Sequence, residues 1–88
     1  MLLNSTTIEE LKLKLALLCK ELRKKNGLTQ NELADNLGMS RITIQNLESA
    51  NNVTIDTWFK VMQHFDLLDK LMTLINDEID NNSIKSLY

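Results

Sequence analysis

Proline is absent from these 88 residues and glycine occurs only twice, at Gly27 and Gly38, so little in the chain breaks helices. Strand formers are scarce too: one Trp, one Tyr, two Phe and two Val. The longer apolar stretches carry Leu, Met and Ala, which favour helix, and an all-α fold follows as the expectation. A single cysteine, Cys19, excludes an intramolecular disulfide and suits a reducing, cytoplasmic setting. One histidine, one cysteine and no glycine-rich loop leave no raw material for a metal cage or a phosphate cradle, so neither an enzyme, a metal nor a cofactor is expected. The richest apolar stretch, Leu11 to Leu18, is interrupted by Lys12 and Lys14 and falls short of the ~18 apolar residues of a membrane span. Met1 to Ile8 carries no cation, and Glu9 and Glu10 follow, so no signal peptide is expected there.

What remains has the composition of one globular domain, with 43% apolar and 25% charged residues. The pattern assigns it to residues 1–79, with 80–88, rich in Asn and Asp, as a flexible tail. Net charge is −2 and unevenly placed: residues 1–50 hold seven Lys/Arg against six Asp/Glu, and residues 51–88 three against six. That balance argues against a partner held by charge alone. A local cluster nevertheless exists, with Lys20, Arg23, Lys24 and Lys25 inside six residues.

Five helices are predicted. Thr6 or Thr7, three residues ahead of Glu9 or Glu10, caps a first helix that runs to about Asn26 and stops at Gly27. Its core stripe is read as Leu11, Leu15, Leu18 and Leu22, and Leu13 and Leu17 form a second apolar row. Thr29 with Glu32 opens a second helix that Gly38 ends near Leu37. Ser40 caps a third, about Arg41 to Ser49. Thr54 or Asp56 starts a fourth with Ile55, Trp58, Val61, Met62 and Phe65 on one side, and a fifth carries Leu68, Leu71, Met72, Ile75 and Ile79.

The segment Gln30 to Ser49 has the spacing of a helix-turn-helix. A small Ala34 lies four residues before Gly38, and Ile44 and Leu47 follow six and nine residues after it, turning inward with Leu33 and Leu37. At 100° per residue, Ile42, Gln45, Asn46 and Ser49 then face outward, with Arg41 at the N-terminal flank. Such a face offers a fork donor for guanine in Arg41, amides for adenine in Gln45 and Asn46, and in Ile42 an apolar group for a thymine methyl. A solvated helix rarely spends a β-branched apolar residue outward. Thr43 shares this helix and joins the candidate DNA contacts, and Lys25, in the basic cluster, is a candidate phosphate contact.

The stretch LRKKNGLTQNELADNLGMSRITIQNLE, Leu22 to Glu48, resembles the Cro and phage-repressor type of helix-turn-helix domain, the Xre family. The resemblance covers about residues 9–75 and implies a five-helix, phage-repressor-like bundle that binds double-stranded DNA. It implies that Gln30 holds a backbone phosphate, that Ser40, Arg41, Ile42, Gln45 and Asn46 meet bases or phosphates, and that Arg23 pairs with Glu48. The chain departs from common members at Ala50-Asn51, where a glycine often ends the third helix. The region Thr54 to Leu74, TIDTWFKVMQHFDLLDKLMTL, is similar to small antitoxins encoded beside HipA-type toxin kinases, which adds a toxin protein as a second possible partner.

The remaining notable side chains have plainer readings. Cys19 reads as a half-buried small apolar group, His64 as a packing or surface histidine, and Trp58 as core. Leu13, Leu17, Phe59, Leu67 and Leu74 exceed what one small core can bury, and a homodimer is expected to cover them. The combined expectation is a cytoplasmic dimeric repressor occupying a palindromic operator without chemistry; the alternative is an antitoxin that restrains a partner protein.

Overall fold

A computed structural model of the chain describes residues 5–87, with side chains described for residues 5–83. Residues 1–4 and 88 lie outside the described residues, as do the part of the leader reading that concerns Met1 to Asn4 and the end of the tail at Tyr88. The order is α1 (Ile8–Lys25), α2 (Gln30–Leu37), α3 (Arg41–Glu48), α4 (Ile55–His64) and α5 (Leu68–Leu87), with no strand among the described residues. None of these helices is long and apolar enough to cross a membrane.

Four helices begin on a hydroxyl. Thr7, Thr29, Ser40 and Thr54 each accept the backbone N–H three residues on, at 3.0, 3.1, 3.2 and 3.3 Å. At α2 the box is complete, because Glu32 reaches back to the Thr29 N–H at 2.9 Å. The Thr29 backbone N–H, with a smaller contribution from the Thr29 side chain, favours the ionised form and holds the Glu32 carboxyl below its usual value. α1 ends with Asn26 as its cap and Gly27 at φ +70°, and Leu28 N–H closes back on Arg23 O at 3.1 Å.

The core is small: Cys19, Leu33, Ala34, Ile44, Leu47 and Val61 are buried, and Leu15, Leu37, Trp58 and Phe65 pack partly against them. α1 meets this core with a different face from the predicted one. Its buried residues are Ala16, Cys19 and Arg23, while Leu11 and Leu18 are 61% and 42% exposed. Small side chains face inward because the short α3 packs close against α1, and the leucine row is rotated off that contact. Cys19 is fully rather than half buried, and burial, with Glu48 adding to it, pushes its thiol up to about 11. Ile55 is exposed as well, because it opens α4 at the solvent end and the core contact begins at Trp58.

Leu67 precedes α5, its N–H closing on Met62 O at 2.8 Å. The fifth helix also runs further than the pattern indicates. Residues 80–87, read from composition as a flexible tail, continue α5 as helix, since no glycine or proline follows Gly38 to stop it. Beyond Leu71 every described residue of α5 is exposed, so the helix leaves the body. The radius of gyration, 15.8 Å, exceeds the about 12 Å of a compact chain of this length for that reason.

Candidate nucleic-acid interface

The turn between α2 and α3 rests on Gly38. It takes φ +66° and ψ 34°, with Met39 N–H closing on Ala34 O at 2.8 Å. A Cβ built there meets nothing within 4 Å, so the left-handed backbone, not space, requires glycine. α3 then crosses α2 over Ala34 with Ile44 and Leu47 completely buried. The opposite face of α3 turns to solvent: Ser40 and Arg41 are exposed and Ile42 is 66% exposed. Thr43, Gln45 and Asn46 are half-buried on the flanks, so the outermost strip is narrower than expected for the two amides.

Two polar clefts border this strip. One is lined by Gly27 to Asn31 and Arg41, and it brings the N-terminus of α2 beside the guanidinium. The other is lined by Thr43, Asn46, Asn52, Val53, Thr54 and Thr57, and it brings Asn46 beside the N-terminus of α4. Both helix starts carry unpaired first-turn amides and the positive end of a dipole, a combination that suits phosphate. Asn31, Asn52 and Thr57 were not singled out from the sequence. The signal available was their position at the start of helices adjoining α3, where Thr54 was read only as a cap. Lys25 stands exposed in the last turn of α1 and lines neither cleft.

Arg23, which also lines the first cleft, is held in an ion pair. Arg23 Nε donates to Glu48 Oε2 at 2.6 Å and Nη2 to Oε1 at 3.1 Å, with side chains only 10% and 4% exposed. Arg23 Nη1 also donates to Leu28 O at 2.8 Å, fixing the α1–α2 turn. The Glu48 hydrogen bond raises the Arg23 pKa above its ordinary value, so the guanidinium stays charged. Gln30 Nε2 donates to Glu48 Oε1 at 3.1 Å. The Gln30 amide nitrogen is therefore turned inward, and it ties the start of α2 to the end of α3.

Residues 20–69, from the last turns of α1 to the start of α5, match the family described as helix-turn-helix. The chain belongs to the helix-turn-helix family. Among curated proteins it is 43% identical over 49 residues to "Antitoxin HipB" of Escherichia coli strain K12, a match covering 54% of this chain and 56% of that protein. It is 41% identical over 49 residues to "Antitoxin HipB" of Escherichia coli O6:H1 strain CFT073, covering 54% and 52%. The chain thus spans about half the length of the curated relatives it matches. No solved structure matches it significantly.

Proposed function

We propose that this helix-turn-helix chain is a cytoplasmic, sequence-specific DNA-binding transcriptional regulator, a repressor that occupies a palindromic operator as a homodimer and performs no chemistry. The observation that carries the reading is α3 itself. One face is completely buried through Ile44 and Leu47, the other presents exposed Arg41 and Ile42, and polar helix starts lie on both sides. That arrangement suits a helix in the major groove with phosphates held to either side. In this reading Arg41 and Asn46 read bases, and Ser40, Ile42, Thr43 and Gln45 fill the remaining contacts. Lys25 and the first turn of α2 at Gln30 take phosphates. Two α3 helices of a dimer enter successive grooves about 34 Å apart.

Selection of bound fragments from a random duplex pool, followed by titration on selected and scrambled duplexes, tests this. Asn46→Ala is expected to lower affinity for the selected site about 10–100-fold more than for scrambled DNA. Gln30→Ala, which frees the start of α2 from Glu48, lowers both about equally. A wild type with no sequence preference refutes the reading.

The likeness to Antitoxin HipB favours a second reading, in which the chain also binds and restrains a toxin protein. Where a neighbouring gene encodes a kinase-like protein, co-purification of the two products and loss of that protein's growth inhibition on co-expression are the expected results.

A further inference from the structure

Two apolar seams with a coiled-coil repeat remain uncovered among the described residues, beside the shorter exposed row of Leu13 and Leu17. On α1, Ile8, Leu11, Leu15, Leu18 and Leu22 recur at alternating steps of three and four, the repeat of a coiled-coil seam. Their stripe lies about a quarter turn from the buried face made by Ala16, Cys19 and Arg23. Ile8, Leu11 and Leu18 are 73%, 61% and 42% exposed, while Leu15 and Leu22 are half-buried. On α5, Leu68, Met72, Ile75 and Ile79 follow the same repeat at steps of four, three and four. With Phe59 of α4 and Leu71, the first three line a groove of about 260 Å³ that is almost wholly apolar. Met72, Ile75 and Ile79 are 58%, 44% and 55% exposed. A projecting helix of this kind is marginal in water unless its apolar stripe is covered.

Charge decides which surface covers which. The exposed stretch of the α1 seam has Lys14 on its free side and Lys12 on the side toward the body, where Lys12 lines a cleft with Asn51, Asn52 and Trp58, and Glu21 flanks only its half-buried end. The α5 seam is bordered by Asp69 on one side and Glu78 on the other, and Lys70 lies on the far face of the helix. Pairing α5 with α5 sets acidic borders together, and pairing α1 with α1 sets lysines together. Pairing α1 with α5 alone matches both apolar repeat and charge.

We propose that the α1 seam of one copy seats in the α4–α5 groove of a second copy, and reciprocally, so that two α1–α5 pairings hold the dimer. The proposal rests on the homodimer reading above and specifies its interface.

Charge reversal tests it by sedimentation and by mixing at low salt. One variant carries Lys12→Glu with Lys14→Glu, the other Asp69→Lys with Glu78→Lys. All four positions are exposed, and circular dichroism checks that each variant folds. Each variant alone is expected to dimerise on the order of 10-fold or more weakly than wild type, since two bordering attractions become repulsions at each pairing. Mixed together, the two variants form a heterodimer of near wild-type affinity, because acidic α1 then meets basic α5 and the reverse. A wild type that stays monomeric overturns the homodimer reading and the proposal with it. A dimeric wild type whose Lys12/Lys14 variant dimerises unchanged overturns the α1–α5 pairing and leaves the homodimer standing. A dimeric wild type whose reversed variants are both weakened but fail to pair with each other also overturns it.

Discussion

Glu48 accepts three donors, two from Arg23 and one from Gln30, with its side chain almost wholly out of water. Removing it leaves the Arg23 guanidinium with Leu28 O and no counter-charge. Glu48→Ala is therefore expected to destabilise the fold by about 3–5 kcal/mol in urea unfolding. Replacing both partners by apolar residues of similar size, Arg23→Met with Glu48→Leu, restores most of that loss, because the penalty belongs to the unpaired charge and not to the pair's net strength. Cys19 sits nearby in the core with no exposed surface and a thiol raised to about 11. At pH 8 it is expected to resist a thiol reagent in the native protein and to react fully in denaturant. Rapid native labelling contradicts the packing described. Of these three residues, Arg23 and Glu48 were legible in the sequence through the family resemblance. The hydrogen bond from the Gln30 amide was not, since residues 18 positions apart meet only once α2 and α3 have crossed.

The helices themselves were largely legible, because hydroxyl caps at Thr7, Thr29, Ser40 and Thr54 and glycines at Gly27 and Gly38 are local signals that act within a turn. Facing was harder. α1 has two apolar rows, and periodicity cannot say that the face with Ala16 and Cys19 wins over the leucines, since that depends on how closely α3 approaches. The end of α3 shows what a missing glycine does. Ala50 takes φ +56°, a left-handed backbone that costs an L-residue roughly 1 kcal/mol relative to glycine. Ala50→Gly is expected to raise stability by about 0.5–1 kcal/mol, read as a higher urea midpoint at unchanged slope; a lower midpoint rules out strain at this turn. Glu32 gives α2 a pH dependence. Its carboxyl titrates lower in the folded chain than in the unfolded one, so its contribution is fully present above the unfolded-chain value and is lost as pH falls through the depressed folded value. Glu32→Gln, whose amide oxygen still accepts the Thr29 N–H, is expected to flatten that acid limb in pH-dependent thermal unfolding while leaving neutral stability little changed.

With a net charge of −2, the chain cannot attract DNA by its overall field. Association must draw on local cations, and among the candidate contacts only Arg41 and Lys25 carry full charge, the rest being amides, hydroxyls and helix starts. Each cation that neutralises a phosphate releases counterions and steepens the salt dependence by about 0.9 per phosphate on B-DNA. In the proposed dimer Lys25, the one cation assigned to phosphate, acts once in each protomer and sets a slope of about −2 for log affinity against log salt concentration. The acidic distal half of α5, with Asp77, Glu78 and Asp80, adds no contact of this kind. Titration of the selected duplex at several salt concentrations measures the slope directly. Lys25→Ala is expected to make it shallower by about 2 per dimer while leaving the preference for the selected site intact, because a phosphate contact carries no sequence information. Arg41→Ala is expected to remove as much charge but also to lower the preference, because in the proposed reading its fork donor meets a base. A wild-type slope near zero means that these cations do not reach phosphate, and a Lys25→Ala variant with an unchanged slope removes Lys25 from the interface.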